Sequence, residues 1–290
     1  MKTISPFIQH FLAAVAILSA SYGLWLELDN FTWFQAYVLP QPVAVNLFDS
    51  LSIEAKAAFV YEPDIGRVLY AKSEHERLPI ASLTKVMSAL VASEFLPEST
   101  IVQFPDLPDR HYQLKDLVAL TLISSSNNGA LALATATQDS IGQDLVTAMN
   151  AEAKRLNLAQ TVFTNSTGLD LNSGAAGSYS SVYDIAHLFV YILSFRPELL
   201  ASTRFKEIEV PTVEGLRHRF ENTNEILSDL PGLLGSKTGF TDAAAGTLAI
   251  AFDRGLNQPV VIVVLGSTES GRFTDVKSLV DTVIKTYLLS

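Results

Sequence analysis

The 290-residue chain contains no cysteine, and only 17% of its residues are charged. The absence of cysteine excludes disulfides, thiolate metal sites and a cysteine nucleophile. Basic residues are also scarce, with 20 Lys and Arg against 30 Asp and Glu, and no basic cluster stands out. Because nucleic-acid binding depends on such clusters, we expect no nucleic-acid partner. The apolar fraction of 48% is ordinary for globular chains, whereas the low charge fits a chain that has a membrane segment.

The N-terminus carries an uncharged apolar run. Residues 11–26 have no charge, Lys2 precedes the run and Glu27 follows it. A basic residue before such a run and acidic residues after it predict that Lys2 faces the cytoplasm and the rest lies outside. The run is just long enough to span a bilayer and is long for a signal peptide. We expect residues 1–29 to be a membrane anchor or a cleaved signal segment, and residues 30–52 to be a tether.

Residues 53–290 form the predicted catalytic domain, in which strand patterns flank helix patterns. Helical patterns fill much of the stretch between residues 79 and 193. Period-two or continuous apolar runs predict strands at 56–62, 67–71, 205–210, 216–220, 247–252 and 260–265, and a last amphipathic helix covers 273–289. Strands near both ends predict an α+β fold, with an antiparallel sheet built from both chain ends, flanking helices and an inserted all-helical lobe.

The stretch PIASLTK, which begins at Pro79, places Ser82 and Lys85 three residues apart at the start of an apolar helix. Residues at this spacing share a helix face. A serine hydroxyl is a weak nucleophile until a base takes its proton, and a lysine accepts a proton only when it is neutral. Burial and a second cation nearby both depress the pKa of a lysine. Taken alone the pair is a weak signal, because a Ser and a Lys three apart arise by chance in many chains.

Ser125-Ser126-Asn127 lies at a junction between a loop and a helix. One interpretation is an N-cap, which Ser and Asn favour. The other is a functional cluster that projects into a cleft. Both interpretations hold if Ser124 caps the helix while the side chains of Ser125 and Asn127 point elsewhere.

Lys237-Thr238-Gly239 lies in the stretch LLGSKTGFTDAAAG. One interpretation is a strand with a solvated lysine and a bulge glycine. In the catalytic interpretation, Lys237 is the second cation near Lys85, Thr238 donates to a substrate carboxylate, and Gly239 lets a ligand backbone lie against the strand. The three clusters occur in the order that characterises β-lactamases and penicillin-binding proteins, and their joint occurrence is far less probable by chance than any one of them.

On these clusters and on the stretches TNSTGLD and YSSVYDIAHL, the chain resembles the serine-type D-Ala-D-Ala carboxypeptidases, which are low-molecular-mass penicillin-binding proteins. The likeness covers residues 57–288. It implies a β-lactamase/transpeptidase-like fold and an acyl-enzyme on Ser82 that removes the terminal D-Ala of peptidoglycan stem peptides. It also implies covalent inhibition by β-lactams and no need for a metal or cofactor.

The resemblance implies a role for each candidate residue. Ser82 resembles the nucleophile, Lys85 its proton acceptor and Ser125 the serine that relays a proton. The residues implied to bind substrate are Asn127, Lys237, Thr238, Gly239, Phe240 and Arg272. The backbone N–H groups of Ser82 and Phe240 are the implied oxyanion hole. Arg272 corresponds to an arginine that meets the substrate carboxylate, although its spacing is one residue short, and the alternative is a solvated arginine at a helix start.

The sequence departs from the family pattern at three places. Ser126 stands where class A β-lactamases have Asp, which points away from that class. Asn128-Gly129 replaces the Asp-Ala of many relatives. Many relatives also continue beyond the helix that ends near Leu289 into a β-rich domain and a C-terminal anchor, so we expect the N-terminal segment to anchor this chain. This places the enzyme on the extracytoplasmic face of the bacterial cytoplasmic membrane, or outside the cell if the segment is cleaved.

Three other functions compete with the carboxypeptidase. A DD-endopeptidase on cross-links uses the same residues. A β-lactamase needs a carboxylate that drives deacylation, and the candidate Glu152 has a mid-helix pattern. A catalytically silent wall-binding protein is expected to have lost Ser82, Lys85 or Lys237, all of which are present. We expect Asp242 to fix a turn. Four histidines lack metal-ligand spacing and are expected on the surface or hydrogen-bonded in the core: His75, His111, His187 and His218.

Overall fold

The structure is a computed structural model that describes residues 47–105 and 110–289. The predicted anchor and most of the predicted tether lie outside these residues. Phe48, near the start of the described chain, is buried and stacks on Tyr70 with ring centroids 5.7 Å apart. The division of the chain into anchor, tether and catalytic domain stays a prediction.

Among the described residues the longest strands lie near both chain ends and most of the helices lie between them, as the sequence predicts, with shorter strands interspersed among the helices. The strands are β1 (Ala57–Glu62), β2 (Arg67–Lys72), β3 (Leu78–Pro79), β4 (Ile101–Gln103), β5 (His111–Gln113), β6 (Val162–Phe163), β7 (Ser178–Ser180), β8 (Glu207–Pro211), β9 (Arg217–Glu221), β10 (Leu233–Thr241), β11 (Ala245–Asp253) and β12 (Pro259–Ser267). The helices are α1 (Thr84–Phe95), α2 (Leu114–Ile123), α3 (Asn127–Ile141), α4 (Leu145–Arg155), α5 (Val182–Phe195), α6 (Glu198–Ala201) and α7 (Gly271–Leu288).

The main sheet has five strands in the order β10-β11-β12-β1-β2, and every neighbouring pair is antiparallel. Strands from both ends of the chain meet where Ala57 pairs with Leu265 and Val60 pairs with Ile262. The α+β fold with a sheet built from both chain ends is therefore confirmed. β10 is an edge strand, which leaves one side of it accessible to the site described below.

Two hydrophobic cores lie on opposite faces of this sheet. On one face Phe59, Ala251 and Val263 belong to the core that includes α1 to α6. On the other face Val60 and Ile262 pack in a second core with α7. Burial on both faces explains why β11 and β12 read as almost continuous apolar runs, since alternation disappears when neither face meets water.

The predicted strands at 205–210 and 216–220 do form, as β8 and β9, but they pair only with each other in a separate two-stranded sheet. The period-two pattern indicates strands without indicating their partners. The loop that follows β9 then leads back to β10 through Thr223.

Within residues 47–105 and 110–289, no single helix has both the length and the apolar composition needed to cross a bilayer. α5 taken together with the segment Glu198–Arg204 meets those two limits, but the pair is bent by 104°.

Candidate active site

Ser82 and Lys85 lie on one face at the start of α1. Ser82 is in a 3-10 turn, Ala81–Leu83, and Lys85 follows in the first turn of the α-helix. The Nζ atom of Lys85 lies 2.7 Å from the Ser82 Oγ atom and 2.7 Å from the backbone oxygen of Thr167. Ala81, just before the serine, has a left-handed backbone with φ of 46°. Such strain costs free energy and persists where the surrounding structure enforces it, often at functional sites.

Burial changes the protonation of Lys85. The side chain has no exposed surface, and its burial lowers the pKa of Lys85 to about 7. The charged form is disfavoured because the interior cannot replace the hydration of an ammonium group. Near neutral pH a substantial fraction of Lys85 is therefore a neutral amine in contact with a hydroxyl, as a base for serine requires.

Ser125 lies between two serines whose hydroxyl groups hydrogen-bond to the ends of neighbouring helices. The Ser124 hydroxyl donates to the Leu120 carbonyl at the end of α2, at 2.6 Å. The Ser126 hydroxyl accepts from the N–H of Gly129, at 3.0 Å, and caps α3. The suggestion that Ser124 caps the following helix is wrong, since its hydroxyl turns back to the preceding one. Ser125 lies between them with φ of 56° and accepts a hydrogen bond at 2.8 Å from Lys237 Nζ.

β10 passes directly against the turn that carries Ser82. A Cβ atom on Gly239 would lie 2.9 Å from the backbone nitrogen of Ser82, so the two segments meet with no room for a side chain. Lys237 is almost fully buried, and its pKa is lowered well below the ordinary lysine value by burial and by the charges of Lys85 and Arg272. Burial is the cause of the lowered pKa of Lys85 and the largest cause for Lys237, and the repulsion expected between the two lysines acts on Lys237.

Thr238 and Phe240 follow Lys237 on β10, Arg272 contacts the same strand, and the Phe240 side chain is half-exposed. The Oγ1 atom of Thr238 lies 2.5 Å from that of Thr223, in the loop after β9. Arg272 is 7% exposed, and its Nη1 donates to the Gly239 carbonyl at 2.9 Å. The alternative of a solvated helix-start arginine is therefore wrong. Nε of Arg272 is buried and has no partner among the described residues.

Asn127 is the first residue of α3, and its Oδ1 atom is buried without a partner in the part of the chain that the structure describes. A buried polar atom left unpaired is costly and is common where a ligand group normally binds. The adjoining Gly129 lets α3 approach α2, because a Cβ at that position would lie 2.1 Å from the Thr121 Oγ1 atom. The Asn128-Gly129 departure thus corresponds to close packing of the two helices behind Asn127.

This packing predicts a rescue between two substitutions. We expect Gly129→Ala to lower the free energy of unfolding by about 1–3 kcal/mol, because it overpacks the contact with Thr121. Thr121→Ala removes the hydroxyl and leaves Cβ as the nearest atom, 3.1 Å away. The double variant should therefore lose less than the two single losses added together. Urea unfolding of all four proteins measures the coupling, and strict additivity would contradict it.

Comparison with known proteins agrees with the geometry. The family model described as D-alanyl-D-alanine carboxypeptidase, peptidase S11, matches residues 44–104 and 97–269. The chain belongs to this family. It is 31% identical over 230 residues to carboxypeptidase DacB2 of Mycobacterium tuberculosis, covering 75% of this chain and 77% of that one.

A second relative of the S11 carboxypeptidase family is DacF of Bacillus subtilis, with 30% identity over 254 residues and 82% of this chain covered. The match spans 64% of the length of DacF. Among solved structures, the ampicillin-bound form of penicillin-binding protein D2 from Listeria monocytogenes has a TM-score of 0.70 and 30% identity. That alignment covers 80% of this chain and 98% of the other, which confirms the expected transpeptidase-like fold.

The sequence arguments missed the part played by the loop that contains TNSTGLD, although this stretch contributes to the S11 resemblance. Its Thr167 supplies the backbone oxygen that binds Lys85. Its Asp170 accepts from the Thr241 hydroxyl at 2.8 Å and from the N–H of Ala243 at 3.0 Å. Asp170 therefore fixes the turn after β10, whereas Asp242, expected to do so, is exposed. A backbone oxygen that accepts a hydrogen bond cannot be recognised from the residue type, so only the resemblance of the whole stretch indicated this loop.

The remaining sequence candidates lie in structural contacts. Glu152 is within α4, as expected, and accepts from Arg155 Nε at 2.6 Å. His111 pairs with Glu214 at 2.7 Å, His187 Nδ1 lies 2.8 Å from the Tyr183 carbonyl, and the His75 ring packs 4.8 Å from that of Tyr183. His218 departs from the expectation, because its buried Nε2 has no partner among the described residues. No group of three metal-ligating side chains occurs within residues 47–105 and 110–289.

Proposed function

We propose that this protein is a serine D-Ala-D-Ala carboxypeptidase that removes the terminal D-Ala of peptidoglycan stem peptides. The observation that carries the proposal is the contact of 2.7 Å between Ser82 Oγ and a buried Lys85 whose pKa is lowered to about 7. Membership of the S11 family supplies the substrate class. Ser125 and Lys237, in contact at 2.8 Å, form a second hydroxyl–amine pair. Burial lowers the pKa of Lys237, and the charge of Lys85 is close enough to lower that pKa further.

In the first half-reaction, Ser82 Oγ attacks the carbonyl carbon of the D-Ala-D-Ala bond while Lys85 Nζ takes the hydroxyl proton. The negative charge that develops on the carbonyl oxygen is held by the backbone N–H groups of Ser82 and Phe240. Fixed donors at such a position are worth several kcal/mol of barrier each, about 3 in measured cases. Ser125 then gives a proton to the leaving nitrogen, and the proton that Lys85 took from Ser82 restores the hydroxyl of Ser125, so that Lys85 is a neutral amine again. The C–N bond breaks, D-Ala leaves and Ser82 carries an ester.

In the second half-reaction, water attacks the ester. Lys85 accepts a proton from the water and passes it to Ser82 Oγ, which leaves as the hydroxyl. Arg272, Lys237 and Thr238 line the place for the terminal carboxylate, where an anion offsets the repulsion among the cations that, together with the larger effect of burial, lowers the pKa of Lys237. The unpaired Oδ1 of Asn127 is the acceptor proposed for an N–H of the substrate. A β-lactam carries a comparable carboxylate beside its reactive carbonyl, so it should acylate Ser82 and remain as a slow ester.

The proposal includes a location. The apolar run at residues 11–26, after Lys2 and before Glu27, supports an N-terminal anchor that holds the enzyme on the extracytoplasmic face of the bacterial cytoplasmic membrane. Cleavage of that segment would release the enzyme from the membrane. Peptidoglycan, the proposed substrate, lies on the same side.

A β-lactamase is less well supported. Such an enzyme needs a carboxylate that activates water against the ester. Glu152, the sequence candidate, lies inside α4 and is ion-paired with Arg155. A silent wall-binding protein would not need to retain a buried lysine on a serine hydroxyl, since burying an amine has a free-energy cost.

The experiment is the release of D-Ala from a peptide that ends in D-Ala-D-Ala, compared between the full-length protein and its Ser82→Ala variant. We expect the wild-type protein to release one D-Ala per peptide over many turnovers, and the variant to release none above background. Purified cross-linked muropeptides form a second arm, in which cleavage of the cross-link identifies an endopeptidase. Turnover of a chromogenic β-lactam that is faster than peptide hydrolysis would contradict the proposal in favour of a β-lactamase.

A further inference from the structure

Lys85 makes two polar contacts in the structure, and their chemistry differs. The hydroxyl of Ser82 can donate or accept a hydrogen bond, whereas the backbone oxygen of Thr167 can only accept. A neutral amine has two N–H groups and one lone pair. Because Thr167 must receive an N–H, its carbonyl limits how the amine can rotate and favours a lone pair directed at Ser82. Once Lys85 has taken the serine proton, the same carbonyl stabilises the ammonium.

The peptide of Thr167 is held by the side chain of Asn165. Its Oδ1 atom accepts from the N–H of Thr167 at 3.1 Å, from the N–H of Gly168 at 2.7 Å and from the Thr167 hydroxyl at 3.1 Å. Its Nδ2 atom donates to the Leu169 carbonyl at 2.9 Å. One amide side chain therefore makes four hydrogen bonds within the loop that presents the acceptor to Lys85.

The loop is also in direct contact with the nucleophile turn. Gly168 has φ of 78°, and a Cβ there would lie 1.9 Å from the Ala81 carbonyl and 2.6 Å from Thr84 Oγ1. The peptide that follows Thr167 thus lies against the strained residue that precedes Ser82. A shift of the loop by an ångström would change both the position of the acceptor and the packing of the serine turn.

We propose that Asn165 is a positioning residue for acylation: through the Thr167 carbonyl it orients the lone pair of Lys85 toward the Ser82 hydroxyl. It does for Lys85 what an orienting carboxylate does for a catalytic histidine. The inference rests on the proposed function, in which Lys85 is the base. Asn165 itself touches neither Ser82 nor, in the proposed steps, the substrate.

The test is stopped-flow acylation of the full-length protein by benzylpenicillin, which separates the binding constant of the first complex from the acylation rate constant. We expect Asn165→Ala to lower the acylation rate constant about 10²-fold, as small misplacements of a reacting group do, with the binding constant unchanged. The pH midpoint of the acylation rate constant should move to lower pH in Asn165→Ala, because a displaced Thr167 carbonyl no longer stabilises the ammonium form of Lys85. Asn165→Asp keeps the three accepted hydrogen bonds and should recover most of the rate.

Asn172→Ala is the matched control, since it makes the same substitution at an exposed position of the same loop. It should acylate like the wild-type protein. Two results would overturn the inference. The first is an unchanged acylation rate constant in Asn165→Ala. The second is a lower rate constant at an unchanged pH midpoint, with no recovery of the rate in Asn165→Asp, because that result would indicate loosened structure alone. Absence of any Ser82 adduct on the wild-type protein would overturn the proposed function and this inference with it.

Discussion

Replacing Lys85 with methionine is expected to slow acylation of Ser82 by benzylpenicillin about 10²–10⁴-fold, the usual contribution of a general base. The expectation follows from the contact of 2.7 Å between the two side chains and from the burial of the amine. Methionine has a similar length and fills the same apolar space, but it has no lone pair basic enough to accept the serine proton. Rapid mixing followed by acid quench and mass spectrometry gives the rate.

Lys85→Arg separates charge from basicity, because arginine stays protonated at any working pH. It should be as slow as the methionine variant even though it keeps a cation in place. Lys154→Met, at an exposed position of α4, is the matched control and should keep the wild-type rate. The thermal midpoint of Lys85→Met should stay the same or rise, since the cost of burying an amine is removed. A normal rate for either Lys85 variant would contradict its role as base.

The acylation rate should also depend strongly on pH. With the pKa of Lys85 near 7, the amine is mostly neutral above that pH and mostly charged below it. The rate should approach a plateau above pH 8 and fall about tenfold for each pH unit well below 7, because only the neutral amine accepts the proton. The midpoint should disappear in Lys85→Met. A rate that is flat from pH 5 to pH 9 would mean that another group is the base.

The free energy of unfolding should also change with pH, because the protonation of Lys85 differs between the folded and unfolded chain. In the unfolded chain Lys85 titrates near its ordinary value of about 10.4, so between pH 7 and that value the unfolded chain binds more protons than the folded one. The free energy of unfolding should therefore rise with pH across this window. This gain in stability is lost again as the pH falls from the upper end of the window through the folded pKa. Lys237, whose pKa is also lowered, adds to the same slope.

Patterns in the sequence predict the fold because the burial of a strand or helix determines which of its residues are apolar. The continuous apolar runs of β11 and β12 indicate strands covered on both faces, and the structure places them inside the sheet. Helix boundaries are predicted less well. The sequence pattern at residues 142–156 is that of a helix, but the helix in the structure spans 145–155, because Asp144 accepts from the Thr147 N–H and caps it there.

The candidate site is predictable where it depends on side chains in recognisable spacing. Ser82, Lys85, Ser125 and Lys237 are identified in this way, and the structure brings them into two contacting pairs. The rest depends on contacts between distant parts of the chain. The acceptor for Lys85 lies 82 residues away and is a backbone oxygen, and Arg272 reaches the Gly239 carbonyl across 33 residues. Neither contact leaves a local pattern that the sequence alone reveals.

The most direct test of the central claim is peptide mapping by mass spectrometry after the full-length protein has reacted with benzylpenicillin at pH 8. We predict one penicilloyl group per molecule, on the peptide that contains Ser82, and no adduct after the same treatment of Ser82→Ala. An adduct on any other residue, or an unmodified Ser82 peptide in a protein that still binds the drug, would contradict the assignment of Ser82 as the nucleophile activated by Lys85.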